Sequence, residues 1–346
     1  MKSKHTGNDC FSKRNTQMRE LHFTITEDED GERLDSALHM LVPKFSRSFL
    51  QKLIKGGSIS LNGSSPKVST PVRESDEIIL NVPDSTVPDI VPENIPLDIL
   101  YEDDDVLVVN KPKNMVVHPA AGHYSGTLVN AVMYHCGSSL SGINGVMRPG
   151  IVHRIDKDTT GSVIICKNDI SHRSIAAQLK EHSIVRRYYA IVYGVLDEKL
   201  TGNSDEFIIN KRIGRDRNNR RRMAVVNAPD GKEAITHVKV IERFPSTRSG
   251  SSHGFQEGFT FIECRLETGR THQIRVHMAS VGHPILGDAV YGGGRKSPFA
   301  NIDSQVLHAG VLGFIHPVTG NYIETVAPLP DYFKELLGKL GIKSDN

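Results

Sequence analysis

Gly150–Gly161, GIVHRIDKDTTG, runs directly into Ser162–Lys167, SVIICK, and the fold turns on this junction. His153, Arg154, Asp156, Lys157 and Asp158 crowd the first part. The second is a short apolar run, rich in β-branched side chains and bounded by charge, which predicts a buried strand. A charged loop presented by a buried strand holds reactive side chains on a rigid edge. On composition alone, a structural salt-bridge loop has the same appearance. Working outward, further strands are expected at Val106–Asn110, Tyr188–Tyr193, Met223–Val226, Ala234–Ile241 and Thr260–Glu267. Helices are expected at Thr127–His135, Ile170–His182 and Thr271–Val281. Hairpin-like and helical connections occur together, predicting a mixed α+β domain rather than a doubly wound one. Ser246–Gly258 (STRSGSSHGFQEG) reads as a low-complexity loop.

Upstream, residues 81–97 (NVPDSTVPDIVPENIPL) contain four prolines and no helical period, as a semi-rigid linker does. The chain therefore divides into a disordered tail over 1–20, a small domain over 21–82, a linker over 83–97 and a large domain over 98–340. In the small domain Leu34, Ala37, Leu38 and Leu41 recur at helical spacing and stop at Pro43. Ser46 stands at an N-cap position before Phe49, Leu50, Leu53 and Ile54, and Gly56-Gly57 ends this second helix. Ser58–Leu61 with an Asn62-Gly63 turn predicts a short hairpin. The apolar face of the second helix lies opposite Arg47, Lys52 and Lys55. A basic helix face is ordinarily only a solvated one.

Of 346 residues, 42 are Lys or Arg and 40 Asp or Glu, so the formal charge is +2 and a histone-like polycation is excluded. The charge is segregated: residues 91–150 carry 3 basic and 6 acidic side chains, and residues 201–250 carry 11 and 6. Lys211, Arg212, Arg215, Arg217, Arg220, Arg221 and Arg222 stand close together, opposed locally by Asp216. No stretch approaches the ~18 apolar residues of a membrane span, and the polar N-terminus lacks a signal-peptide core. Cys10, Cys136, Cys166 and Cys264 are scattered, which suits a reducing cytoplasm.

Two enzyme readings fail on spacing. His153-Arg154-Ile155-Asp156 has a residue between Arg and Asp that the kinase catalytic loop lacks, and no glycine-rich phosphate loop accompanies it. His272 and His277 would lie about 140° apart on a helix, so they do not form a zinc-binding pair, and no metal is expected.

Three strings in order, HRIDKDTTG (153–161), RRYYAIVYG (186–194) and LETGRTHQIRVH (266–277), resemble the signature segments of the RluA-type pseudouridine synthases. YEDDDVLVVNKPKNMVVHP (101–119), GHPILGDAVYGG (282–293) and LHAGVLGFIHPVTG (307–320) resemble that family's flanking segments, so the likeness covers roughly residues 95–332. Arg33-Leu34-Asp35, Ser46-Arg47-Ser48, Ile54-Lys55-Gly56-Gly57 and Leu61-Asn62-Gly63 resemble the alpha-L RNA-binding motif. That module ahead of this domain resembles the branch acting on large-subunit (23S) ribosomal RNA. Ile155 and Ser162 depart from the usual family residues, Leu and an apolar side chain.

The resemblance implies a mainly antiparallel mixed sheet and a cofactor-free isomerisation of uridine to pseudouridine; the sequence is silent on oligomeric state, and a monomer is the default expectation. The resemblance makes Asp156 the catalytic carboxylate, Arg275 its partner and Tyr188 the ring that stacks on the base. Arg154 would fill the gap left by a flipped nucleotide. Arg47, Lys52, Lys55 and the 211–222 run would bind RNA phosphates. Whether Asp156 attacks the sugar, adds to the base or removes a ribose proton stays open. So do a tRNA-directed enzyme and a non-catalytic ribosome-assembly factor. A hydrolytic glycosidase is disfavoured because no second catalytic carboxylate is evident.

Overall fold

The computed structural model describes residues 18–43, 45, 47–83, 90–119, 124–137, 139–141, 149–219, 222–246 and 257–342. Lys44, the Ser46 cap, Arg220, Arg221, most of the expected tail and most of the low-complexity loop lie outside the described residues, as do the side chains of Ser48 and Phe49. The chain forms two compact units that divide between Asp89 and Ile90.

The smaller unit contains β1 (Met18–Thr24), α1 (Leu34–Leu41), α2 (Arg47–Lys55), β2 (Ile59–Leu61) and β3 (Glu77–Pro83). Leu34, Ala37 and Leu38 from α1 meet Leu50, Leu53 and Ile54 from α2 over Ile59, Ile78 and Leu80 of the sheet. Two expectations are corrected here. Residues 18–20, assigned to a disordered tail, open β1, because the strand pairs along its whole length with β3 and packs Leu21 and Phe23 against this core. The Asn62-Gly63 turn is present, with both residues at positive φ, but the hairpin it closes is a single Leu61–Ser64 bridge, and β2 itself pairs with the distant β3.

The larger unit runs β4 (Ile99–Glu102), β5 (Val106–Lys111), α3 (Leu128–Cys136), β6 (Thr160–Cys166), α4 (Asp169–Lys180), β7 (Val185–Tyr193), α5 (Glu198–Thr201), β8 (Glu206–Asn210), β9 (Ile213–Arg215), β10 (Met223–Val225), β11 (Ile235–Phe244), β12 (Phe259–Leu266), α6 (Gln273–Ser280), β13 (Leu307–Ile315), β14 (Tyr322–Val326) and α7 (Asp331–Leu340). Its main sheet has the order β4-β5-β6-β13-β7-β12-β11-β8, with β14 also on β13. Among the described residues the one parallel pair is β6 with β13, so the sheet is mixed and mainly antiparallel.

Both faces are covered, which is why the strands read as continuous apolar runs. Leu107, Val109, Val163 and Ile165 face α3 and α6, with Leu128, Val132, Ile274 and Met278. Alternate residues Val106, Val108, Ile164 and Cys166 face α4 through Ile175. Further along, Ile191, Tyr193, Phe259 and Phe261 pack on Phe333 and Leu337 of α7. Gly161, at φ +110°, lets β6 meet β13, since a Cβ there would stand 2.2 Å from the Ala309 carbonyl oxygen. The second half of the expected linker is also corrected. Ile90, Ile95 and Leu97 pack on the larger core, and Asn130 Nδ2 donates to the Val91 carbonyl at 2.8 Å. Prolines suppress a helix in this segment without freeing it from the core.

Candidate active site

The loop before β6 opens on a cavity of about 480 Å3 lined by Arg154, Asp156, Arg186, Tyr188, His272 and Arg275, among others. The loop is anchored from behind. Lys111, buried at the end of β5, donates from Nζ to the carbonyls of Pro112 (2.7 Å), Met115 (2.8 Å) and Lys157 (2.9 Å). Burial pushes its pKa down to about 7, although Asp158 and Asp156 favour its charge. Thr160 at the start of β6 is tied across to His308 at 2.8 Å. His153, counted above within the charged cluster, accepts a hydrogen bond at Nε2 from the Ile164 amide (3.0 Å). Burial, reinforced by the nearby Arg186 charge, depresses its pKa to about 3, so it is a neutral structural residue.

Asp156 is 18% exposed at the cavity wall and accepts from Arg275 Nη1 at 2.9 Å. The other edge of the guanidinium is bidentate to Asp288, from Nε at 2.7 Å and Nη2 at 2.9 Å. Burial opposes the Arg275 charge, but the hydrogen-bonded carboxylates outweigh it and raise its pKa above the ordinary value. Burial likewise opposes ionisation of Asp288, and Arg275 together with the Tyr291 and Val290 amides reverses the effect and lowers its pKa. Planar, forked geometry of this kind fixes direction as well as charge.

Arg275 thus stands beside Asp156, and the expected helix Thr271–Val281 is corrected at its start. The helix begins at Gln273, not Thr271, because His272 is at φ +55°. Thr271 therefore lies outside the helix, and Asp288 orients the guanidinium. Sequence reading missed Asp288, although it lies in the quoted segment 282–293. It also missed Tyr291, whose ring lies under Arg275 (5.1 Å) and Arg222 (5.3 Å). The Tyr291 hydroxyl meets His272 Nδ1 at 2.8 Å and accepts from the Met223 amide at 2.9 Å. His272 Nε2 lies 3.8 Å from Asp156. His277 and His283 have other partners, Thr236 and the Tyr193 carbonyl.

Tyr188 projects from β7 onto the same cavity and is buried. Burial raises its phenol pKa, Arg186 opposes this, and Asp156 adds to it. Arg154 is exposed on the cavity lining. In the smaller unit Lys52 and Lys55 are exposed, whereas Arg47 pairs with the buried Asp35 at 2.8 Å. In the basic run Arg212 and Arg215 are exposed, Lys211 reaches the Ser280 carbonyl (3.3 Å), and Arg222 is stacked as described. Asp216 is not the sole opposing charge, because the fold brings Asp230 onto Arg217.

The model of RNA pseudouridylate synthases matches residues 105–280, and that of the S4 domain matches residues 32–78. An RNA pseudouridine synthase of Bacillus subtilis (strain 168) is 46% identical over 93% of this chain and 99% of its own. The ribosomal large subunit pseudouridine synthase D of Zymomonas mobilis is 44% identical over 93% of this chain and 98% of its own. The solved human RNA pseudouridylate synthase domain containing 4 superposes with a TM-score of 0.51 at 21% identity, covering 72% of this chain and 94% of that one. With Asp156 held against Arg275 inside the matched segment, the chain belongs to the RNA pseudouridylate synthase family, carrying an S4 domain ahead of its catalytic unit.

Proposed function

We propose that this enzyme converts specific uridines of large-subunit (23S) ribosomal RNA to pseudouridine, with Asp156 as its catalytic carboxylate. The observation that carries the reading is that Asp156 is the one carboxylate among the cavity-lining residues. Its ion-pair partner, Arg275, is neutralised from behind by Asp288. A hydrolytic glycosidase needs two carboxylates flanking the bond it breaks, and the lining supplies one. Cleavage of the C1′–N1 bond develops positive charge on the ribose, next to which an oriented anion is stabilising. Tyr188 supplies a ring face for the base, and Arg154 at the lining takes the place of the flipped nucleotide.

The ribosomal target is supported by the relatives that act on the large subunit and by the exposed lysines of α2 in the S4 domain. Lys211, Arg212, Arg215 and Arg222 add positive charge along β9 and β10 for the RNA backbone, whereas the charge of Arg217 is offset by Asp230. Free thiols at Cys136, Cys166 and Cys264 suit the cytoplasm, and among the described residues no helix is long and apolar enough to cross a membrane.

The test is single-turnover conversion of a 23S fragment by purified Asp156→Asn protein. Pseudouridine formation is expected to vanish with RNA affinity within a few-fold of wild type, and retained activity overturns the assignment. Transcriptome-wide pseudouridine mapping with and without the protein then identifies the RNA: loss of 23S sites supports the reading, and loss confined to tRNA overturns it.

A further inference from the structure

The cavity contains a second buried cation that the Asp156–Arg275–Asp288 cluster does not use. Arg186 on β7 is only 6% exposed. It lies two residues from Tyr188 on the same face of the strand, and both line the cavity. Its Nη2 donates to the Glu267 carbonyl at 2.9 Å. Its Nε is buried without a hydrogen-bond partner, and among the described residues no carboxylate pairs with it. Burial accordingly pushes its pKa down, with the Tyr188 phenol a partial offset.

The neighbouring arginines show how unusual this is. Arg275, equally buried, is held by two carboxylates, and Arg187, next in sequence, has Glu263 and Glu324. The chain also keeps room for the Arg186 head: a Cβ at Gly269, another lining residue, would come within 2.7 Å of Nη1. A buried cation with neither counter-ion nor full hydrogen bonding is a costly arrangement that binding of an anion relieves.

We propose that Arg186 is a catalytic residue that stabilises the negative charge on the departing uracil. The inference rests on the reading of Asp156 given above. When the C1′–N1 bond breaks, its electron pair leaves with the base, and the resulting anion is shared among N1, O2 and O4. The electron-deficient C1′ is either captured by the Asp156 carboxylate or relieved by loss of the C2′ proton. The base then turns and returns a pair to C1′ through C5, displacing the Asp156 carboxylate in the first case and accompanied by return of the C2′ proton in the second, and the C5 proton is finally lost while N1 regains one. Atoms and electrons balance, and the one species in this sequence that newly carries negative charge inside the cavity is the free base. A backbone phosphate is charged throughout and is ordinarily met by exposed side chains such as Lys52 or Arg212. A guanidinium beside the base-stacking Tyr188 faces the ring edge instead.

The test compares Arg186→Gln and Arg186→Lys with wild type and Asp156→Asn on the same rRNA fragment. Arg186→Gln is expected to lose about 100- to 1,000-fold in the single-turnover rate, the scale of removing one preorganised oxyanion donor. Its RNA affinity and the salt dependence of binding are expected to be unchanged, and Arg186→Lys to recover part of the rate. Replacing the target by 5-fluorouridine makes the leaving base a more stable anion, so the Gln defect, read as loss of the target nucleoside, should shrink several-fold. Melting temperature should be no lower than wild type, because an uncompensated buried charge has been removed.

A salt slope reduced by about one marks Arg186 as a phosphate ligand and overturns the proposal. So does a defect equal on both nucleosides, or a lowered melting temperature with no rescue by Lys. An active Asp156→Asn enzyme brings down the underlying catalytic reading. An inactive Asp156→Asn beside a fully active Arg186→Gln brings down the Arg186 role alone.

Discussion

Replacing Asp288 by Asn tests whether the orientation of Arg275 depends on a residue that never reaches the cavity. The Asp288 side chain is fully buried, and its Oδ1 accepts three hydrogen bonds, from Arg275 Nη2 (2.9 Å), the Val290 amide (2.9 Å) and the Tyr291 amide (3.0 Å). Oδ2 accepts one, from Arg275 Nε at 2.7 Å. An asparagine keeps the first set if its carbonyl oxygen takes the Oδ1 position. Its amide nitrogen then faces Nε, two donors with no acceptor between them. The variant therefore loses one charge-assisted bond and half the neutralisation of a buried guanidinium. Breaking a buried pair costs about 3–5 kcal/mol, and the surviving contact to Asp156 puts this case near ~3 kcal/mol. For a unit of this size that lowers Tm by about 6–12 °C. Asp156→Asn removes only the 2.9 Å bond at the partly exposed wall, so its Tm should stay within about 2 °C of wild type. Calorimetry gives both melting temperatures, and a 23S fragment assay should find both variants inactive. An Asp288→Asn protein that melts with wild type, or that turns over normally, would refute the claim that Asp288 aims Arg275.

Three other outcomes follow from the charges. Asp35, whose ionisation is opposed by burial but favoured by hydrogen bonds from Gln51, Arg47 and Arg33, has its pKa lowered to about 2. A depressed carboxylate contributes stability above its unfolded pKa and loses it as pH falls through the folded value; Asp35→Asn should destabilise the protein near pH 6, and in urea titrations the difference should close between about pH 4 and pH 2. Lys111, with its pKa pushed down to about 7 by burial, binds fewer protons folded than unfolded between pH 7 and 10, so stability from this site rises with pH over that interval; Lys111→Met should flatten that part of the wild-type curve and slow catalysis by loosening the Asp156 loop. Charge reversal of Lys52 and Lys55 together should weaken rRNA binding and make its salt dependence shallower by about one to two units, whereas Arg47→Gln, already neutralised by Asp35, should change the slope by less; equal slopes for all three proteins would remove α2 from the RNA interface.

The strand behind Asp156 was legible because a run buried on both faces is apolar throughout, and such a run needs no distant information to be recognised. The helix of Arg275 was legible as a helix, yet its first turn was not, because His272 adopts a left-handed conformation that residue type does not announce. The direction of the Arg275 side chain was hidden for a different reason: Asp288 lies in an aperiodic turn, so no helical or strand period links the two. Charge was the property read least well, since counting side chains cannot show which of them cancel. Asp230, outside the basic run, reaches Arg217, and Asp35 takes up both Arg33 and Arg47. Arg186 is the opposite case: it sits in a string that reads as doubly basic, yet only its neighbour Arg187 is paired. A total of +2 therefore says little about RNA binding, because the arginines that the fold neutralises hold the protein together, and those left without a carboxylate are the ones a polyanionic substrate or an anionic intermediate can engage.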